Sequence, residues 1–147
     1  MNLLLIEDNN YKIEQLQTFL NDQFLSIKIE TKKSYHSGLK ELLLNNIYDL
    51  VLLDISMPTY DIKPGEPGGD PMPLAGKLLL NEMYLRDIKT KVIVVTMYES
   101  FVDGTKLSAL DKQLHREFSE NYKGFVYFSP GNTNWKENLL TKIHEVI

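Results

Sequence analysis

Leu50-Val51-Leu52-Leu53-Asp54-Ile55-Ser56-Met57-Pro58 is the stretch that decides the fold. An unbroken apolar run meets one carboxylate, and Pro58 then stops regular structure. The run is far shorter than the roughly 20 residues of a membrane-spanning helix. It suits a strand buried on both faces, as in a parallel sheet covered by helices. An acid at the end of such a strand stands at the rim of the sheet. The rest of the chain is read for what gathers around Asp54.

Moving outward, Lys91–Thr96 repeats the pattern, with Val92-Ile93-Val94-Val95 at its centre and the Thr96 hydroxyl at its end. Residues 2–6 are apolar until they meet Glu7-Asp8. Residues 26–30 alternate, which suits a half-exposed strand, and Phe125–Phe128 reads as the last strand. Between the strands the period changes to that of a helix. Ile13, Leu16 and Leu20 share one face, with Asn9 or Asn10 as cap. A second helix is expected over about 35–45, capped by Ser34 or Thr31, with Leu39, Leu42 and Leu43 inward. A third starts around Leu74, Leu78 and Leu79 and runs to Tyr84 or Leu85. Leu107, Leu110, Leu114 and Phe118 mark a fourth, which Gly124 is expected to end. Trp135, Leu139, Leu140 and Ile143 mark the closing helix. Alternating strands and helices with right-handed crossovers give a doubly wound α/β sheet. Such a sheet binds ligands beyond the carboxyl ends of its strands. Glu7-Asp8, Asp54 and Thr96 then share one rim.

Composition narrows the functions. With 147 residues the chain fits one domain, 1–147. A net charge of −4 gives no support to a nucleic-acid surface. The absence of cysteine excludes disulfides and thiolate metal sites. No signal-peptide pattern and no long apolar window occur, so a soluble cytoplasmic protein is expected. Residues 59–73 hold four Pro and three Gly, the composition of a long loop beside Asp54. His36, His115 and His144 fall in three different helices, without ligand spacing.

Three like charges at one rim repel, and a divalent cation relieves the repulsion. Carboxylate and carbonyl oxygens suit Mg²⁺ or Mn²⁺. Asp8, Asp54 and the backbone carbonyl of Ser56 are the expected direct ligands, with Glu7 holding a metal-bound water. Asp54 is also a candidate nucleophile toward phosphorus, with the Thr96 hydroxyl donating to a phosphoryl oxygen. A cap or turn role is the simpler reading for any one of these acids. The combination is harder to reach by chance.

These residues resemble the receiver domain of bacterial response regulators. Leu4-Leu5-Ile6-Glu7-Asp8-Asn9 is similar to the family's first strand and acidic pair. Leu50–Pro58 resembles its phospho-acceptor motif, and Val92–Thr96 its fourth strand and switch hydroxyl. The resemblance covers essentially the whole chain. It implies a flavodoxin-like (βα)5 three-layer sandwich with sheet order 2-1-3-4-5. It also implies phosphorylation of Asp54 with Mg²⁺ by a histidine kinase or phosphotransfer protein. Thr96 would then reorient together with an aromatic on the fifth strand. A downstream protein partner would bind the face from the fourth helix to the fifth, through which a homodimer is also expected. No direct contact with nucleic acid or membrane is implied, and no enzyme turnover beyond slow self-phosphorylation and dephosphorylation.

One departure stands at Ser129-Pro130, where the family has Lys-Pro and the lysine pairs with the phosphoryl group. A hydroxyl cannot supply that charge. Lys106, Lys123 and Lys136 are the lysines considered as replacements. Counting back from Ser129 puts Val126 at the switch-aromatic position, with Phe125 and Tyr127 one residue away. The 59–73 loop and the segment 98–123 are also longer than the family's usual connections. Two alternatives therefore stay open. One is a pseudo-receiver, a phosphorylation-independent interaction or dimerisation module. The other is a small phosphatase with Asp54 as nucleophile, although Ser56 stands where one such family has a second Asp.

Overall fold

In a computed structural model, residues 1–66, 72–101 and 103–147 are described. Five strands alternate with five helices among them: β1 (Asn2–Ile6), α1 (Asn10–Gln23), β2 (Lys28–Lys32), α2 (Tyr35–Leu44), β3 (Leu50–Leu53), α3 (Ala75–Leu85), β4 (Lys91–Thr96), α4 (Leu107–Glu117), β5 (Tyr122–Tyr127) and α5 (Asn134–Val146). All neighbouring strands are parallel, in the order β2-β1-β3-β4-β5. The expected flavodoxin-like (βα)5 sandwich is the observed fold.

The alternation within each central strand builds two cores. Leu4, Ile6, Val51, Leu53, Val92 and Val94 face α2, α3 and α4. Leu3, Leu5, Leu50, Leu52, Ile93 and Val95 face α1 and α5. Burying each of these side chains stabilises the fold by about 1.5–3 kcal/mol. Trp135 is buried in the second core, against Phe19 and Phe128.

Some boundaries differ from those expected. β2 lies two residues later than 26–30, because Met1 and Asn2 at the start of β1 pair with Lys28. Leu43 and Leu78 face solvent, while Gly38 and Leu42 of α2 and Leu79 and Leu80 of α3 are buried. Gly124 does not end α4. That helix closes before Phe118, and Gly124 sits inside β5 with φ +115°, where the pairing with β4 shifts register.

The loop after β3 is tied down at its base. Met72 N–H donates to Met57 O (2.8 Å), and Ser37 Oγ donates to Asp61 (2.9 Å). Residues 67–71 of that loop lie outside the described residues. The connection from β4 to α4 closes through a bridge between Ser100 and Lys106, with Gly104 at the tip (φ +85°). Among the described residues no helix is long and apolar enough to cross a membrane.

Candidate functional site

Chain direction in a parallel sheet brings the ends of β1, β3 and β4 together. Asp54 N–H donates to Ile6 O (3.1 Å), which locks the end of β3 to that of β1. Glu7, Asp8 and Asp54 then each offer a carboxylate oxygen within 4.8 Å of the others. Glu7 and Asp54 are buried, whereas Asp8 is exposed. Thr96 is buried at the end of β4, where its Oγ1 accepts the Tyr98 N–H (3.2 Å). The expected acids and hydroxyl thus stand at one rim.

The carboxylates are unequally committed. Glu7 Oε1 accepts the N–H groups of Asp8 (3.1 Å) and Asn9 (3.0 Å). Asp54 Oδ1 accepts the N–H of Ile55 (2.7 Å). Burial and the neighbouring Asp54 push Glu7 up from 4.5 to about 8, against the pull of Lys12 and the Asn9 N–H. Asp8 is raised by the same two causes. Without a cation the cluster therefore favours holding a proton.

In the turn after β3, the carbonyls of Ile55, Met57, Pro58 and Thr59 each accept a backbone N–H. Among the described residues no such donor reaches the Ser56 carbonyl. The donor set of an open Asp8, an Asp54 oxygen and the Ser56 carbonyl is all oxygen, which fits a hard divalent cation.

Lys12 is the residue that sequence reasoning missed. Its side chain is fully buried, and Nζ lies 2.5 Å from Glu7 Oε2, 3.3 Å from Asp54 Oδ2 and 2.5 Å from Val95 O. The ammonium thus donates to one backbone carbonyl and pairs with two carboxylates. The helix cap explains the placement. Asn9 Oδ1 accepts the Lys12 N–H (3.0 Å), making Lys12 the third residue of α1. Helical side chains lean toward the N-terminus, so this one leans back over the rim. A signal was present in the sequence. Lys12, Leu16 and Phe19 share one inward stripe, and a lysine in an apolar stripe calls for a buried partner.

Lys106, Lys123 and Lys136, the expected replacements, lie elsewhere. Lys106 is exposed before α4, and Lys123 bonds Ser119 O (3.2 Å). Lys136 lies over the rings of Phe19 and Trp135. Val126, one candidate for the switch position, is buried in the α1/α5 core and does not face Thr96. Tyr127 is the residue opposite Thr96 in the β4–β5 register. Phe125 and Tyr127 line an open groove of about 550 Å³ with Glu99, Lys106 and Leu107.

No family model matches the chain. It is 33% identical over 150 residues to the Detocs response regulatory protein DtcB of Enterobacter cloacae (strain JD6301), covering 99% of this chain and 100% of that protein. It is 30% identical to the uncharacterized protein y4jR of Sinorhizobium fredii (strain NBRC 101917 / NGR234), covering 92% of each. The fold is similar to a signal receiver domain of a Luxo repressor protein from Vibrio parahaemolyticus. There the TM-score is 0.66 at 19% identity, over 98% of this chain and 87% of that one. The CheY-like receiver of Methanospirillum hungatei JF-1 gives 0.64 at 19% identity, over 98% and 90%.

Proposed function

The chain belongs to the response-regulator receiver family, and from that premise we propose that it accepts a phosphoryl group on Asp54 with Mg²⁺ bound. The observation that carries this reading is the position of Asp54, at the end of β3 within one cluster with Glu7 and Asp8. Asp8, Asp54 and the Ser56 carbonyl are the proposed metal ligands. Glu7 acts through a metal-bound water, since both its oxygens are already engaged. Mg²⁺ supplies positive charge to the transferring oxygens when bound, and Mn²⁺ fits the same donors. Thr96 is the switch hydroxyl, and Tyr127 opposite it is the aromatic that follows.

In this reading 1–147 is one receiver unit that works in the cytoplasm as a signalling acceptor rather than a turnover enzyme. A histidine kinase or phosphotransfer protein is the phosphoryl source. The face from α4 to α5 serves a downstream protein partner or a second copy. Incubation with a small acyl phosphate and Mg²⁺, followed by intact mass, is expected to show one added phosphoryl group. Asp54→Ala is expected to remove it. No addition to the parent chain would refute the reading.

Ser129 favours a second reading, the pseudo-receiver, because the usual lysine position carries no charge. That reading expects partner affinity to be unchanged by Asp54→Ala and by chelation of divalent cations. A loss of binding in either case rejects it.

A further inference from the structure

We propose that Lys12 supplies the phosphoryl-pairing cation of this site, from the first turn of α1 rather than from the segment after β5. The inference rests on the reading of Asp54 as acceptor. Among the described residues, Lys12 provides the one cationic nitrogen within 4 Å of the Asp54 carboxylate. Its reach is fixed at both ends. The Asn9 cap sets the start of the helix, and Glu7 Oε2 and Val95 O hold two of the three Nζ donors. Nζ lies 3.3 Å from Asp54 Oδ2, the longest of its three contacts and so the one most easily redirected.

In the transfer, an Asp54 carboxylate oxygen attacks phosphorus and an O–P bond forms. The bond from phosphorus to the donor's leaving atom breaks, and its electron pair leaves with that atom, an imidazole nitrogen or an acyl oxygen. The unit of charge lost by the carboxylate leaves with the departing group, and the phosphoryl oxygens carry their own negative charge onto Asp54. The Lys12 ammonium that faced Asp54 then faces a phosphoryl oxygen across the same short gap. Asp8, Asp54 and the Ser56 carbonyl would hold the metal, and Lys12 is not among those ligands. Lys12 is buried, while Asp8 is exposed.

A purely structural role would not require a lysine here. An apolar residue in the Ile13–Leu16–Phe19 stripe would bury itself without the cost of desolvating an ammonium. What calls for the charge is the pair of buried acids it faces.

The test compares the parent chain, Lys12→Gln, and the double variant Lys12→Gln with Ser129→Lys. Each is incubated with a small acyl phosphate and Mg²⁺ and followed by intact mass. Mg²⁺ binding is measured separately by calorimetry, and folding by circular dichroism. Lys12→Gln is expected to be phosphorylated at least tenfold more slowly while its Mg²⁺ affinity stays within about threefold of the parent. The double variant, with the cation returned to the β5–α5 segment, is expected to recover most of the rate. Lys12→Gln reacting within twofold of the parent overturns the proposal. If Lys12→Gln fails to fold, the double variant decides. Recovery supports the proposal, and a folded double variant below a tenth of the parent rate overturns it. A parent chain that binds Mg²⁺ but takes no phosphate removes the acceptor reading itself, an outcome visible without any variant.

Discussion

Lys12 and Glu7 form a buried pair whose two halves depend on each other. Removing one partner of such a pair leaves an uncompensated charge and costs about 3–5 kcal/mol. Above pH 8, where Glu7 is ionised, Lys12→Met is therefore expected to lower metal-free stability by about 3–5 kcal/mol in urea unfolding. The pH dependence follows from Glu7. Its folded value is raised from 4.5 to about 8 by burial and by Asp54. An acid raised in this way favours the fold when protonated. Its contribution is fully present below pH 4.5 and is lost as pH rises toward and through 8. Metal-free melting temperature should fall over that window, and Glu7→Gln should flatten the fall. At this scale the acids were legible because each follows an apolar run, and strand direction alone sends such ends to one rim. Lys12 was not legible by that logic. It stands far from Ser129 in sequence and reaches Asp54 across space from the first turn of α1.

Among the elements, two glycines stand where an added side chain would be strained, one by a neighbouring backbone and one by its own positive φ. Gly76 opens α3 against the site. A Cβ there would lie 2.6 Å from Asp54 O and 3.0 Å from Ile55 Cα, both backbone atoms that cannot swing aside. Gly76→Ala should cost about 1–3 kcal/mol and displace Asp54, slowing phosphoryl uptake as well as lowering stability. Gly124 has φ +115°, and a Cβ there would meet Lys142 Nζ at 2.7 Å. Gly124→Ala should cost about 1–3 kcal/mol by backbone strain with little effect on Mg²⁺ affinity, a contrast that urea unfolding and calorimetry would separate. Gly124 also shows why β5 was shortened in the sequence reading. A glycine reads as a breaker between α4 and a strand. Here the strand runs through it, because Tyr122 is already buried against α4 with its hydroxyl donating to Asp111 (2.6 Å). The inner strands were easier to read because both of their faces are apolar. The edge strand β2, half-exposed throughout, carried too weak a pattern to fix its register.

For the molecule as a whole, a ligand that binds only the folded state raises stability by mass action, by about 2.7 kcal/mol at a hundredfold excess over Kd. Mg²⁺ should raise the melting temperature, and Asp8→Asn should reduce that increment. The increment should be larger at pH 8 than at pH 6. At the lower pH the cation must displace the proton held by Glu7, which burial and Asp54 raise to about 8. A melting temperature unmoved by Mg²⁺ at pH 8 would contradict the metal site. The overall architecture was fully legible, since strand and helix periods alternate without interruption. The site's charge balance was not, because it depends on which helix position a cap selects.

The cap at Asn9 has a kinetic consequence. Glu7, Asp8 and Lys12 come from one short stretch, so closing their contacts requires almost no loop entropy. A cation carried beyond β5 would reach the rim only after nearly the whole chain had assembled, and it would leave whenever the C-terminal unit frayed. In this chain the contacts of the ammonium with Glu7 and Val95 involve no residue of α5, so a local opening of α5 would leave them in place. Native-state amide exchange should then show α5 opening with a free energy that Mg²⁺ leaves unchanged, while the amides of the β1–α1 turn become slower to exchange.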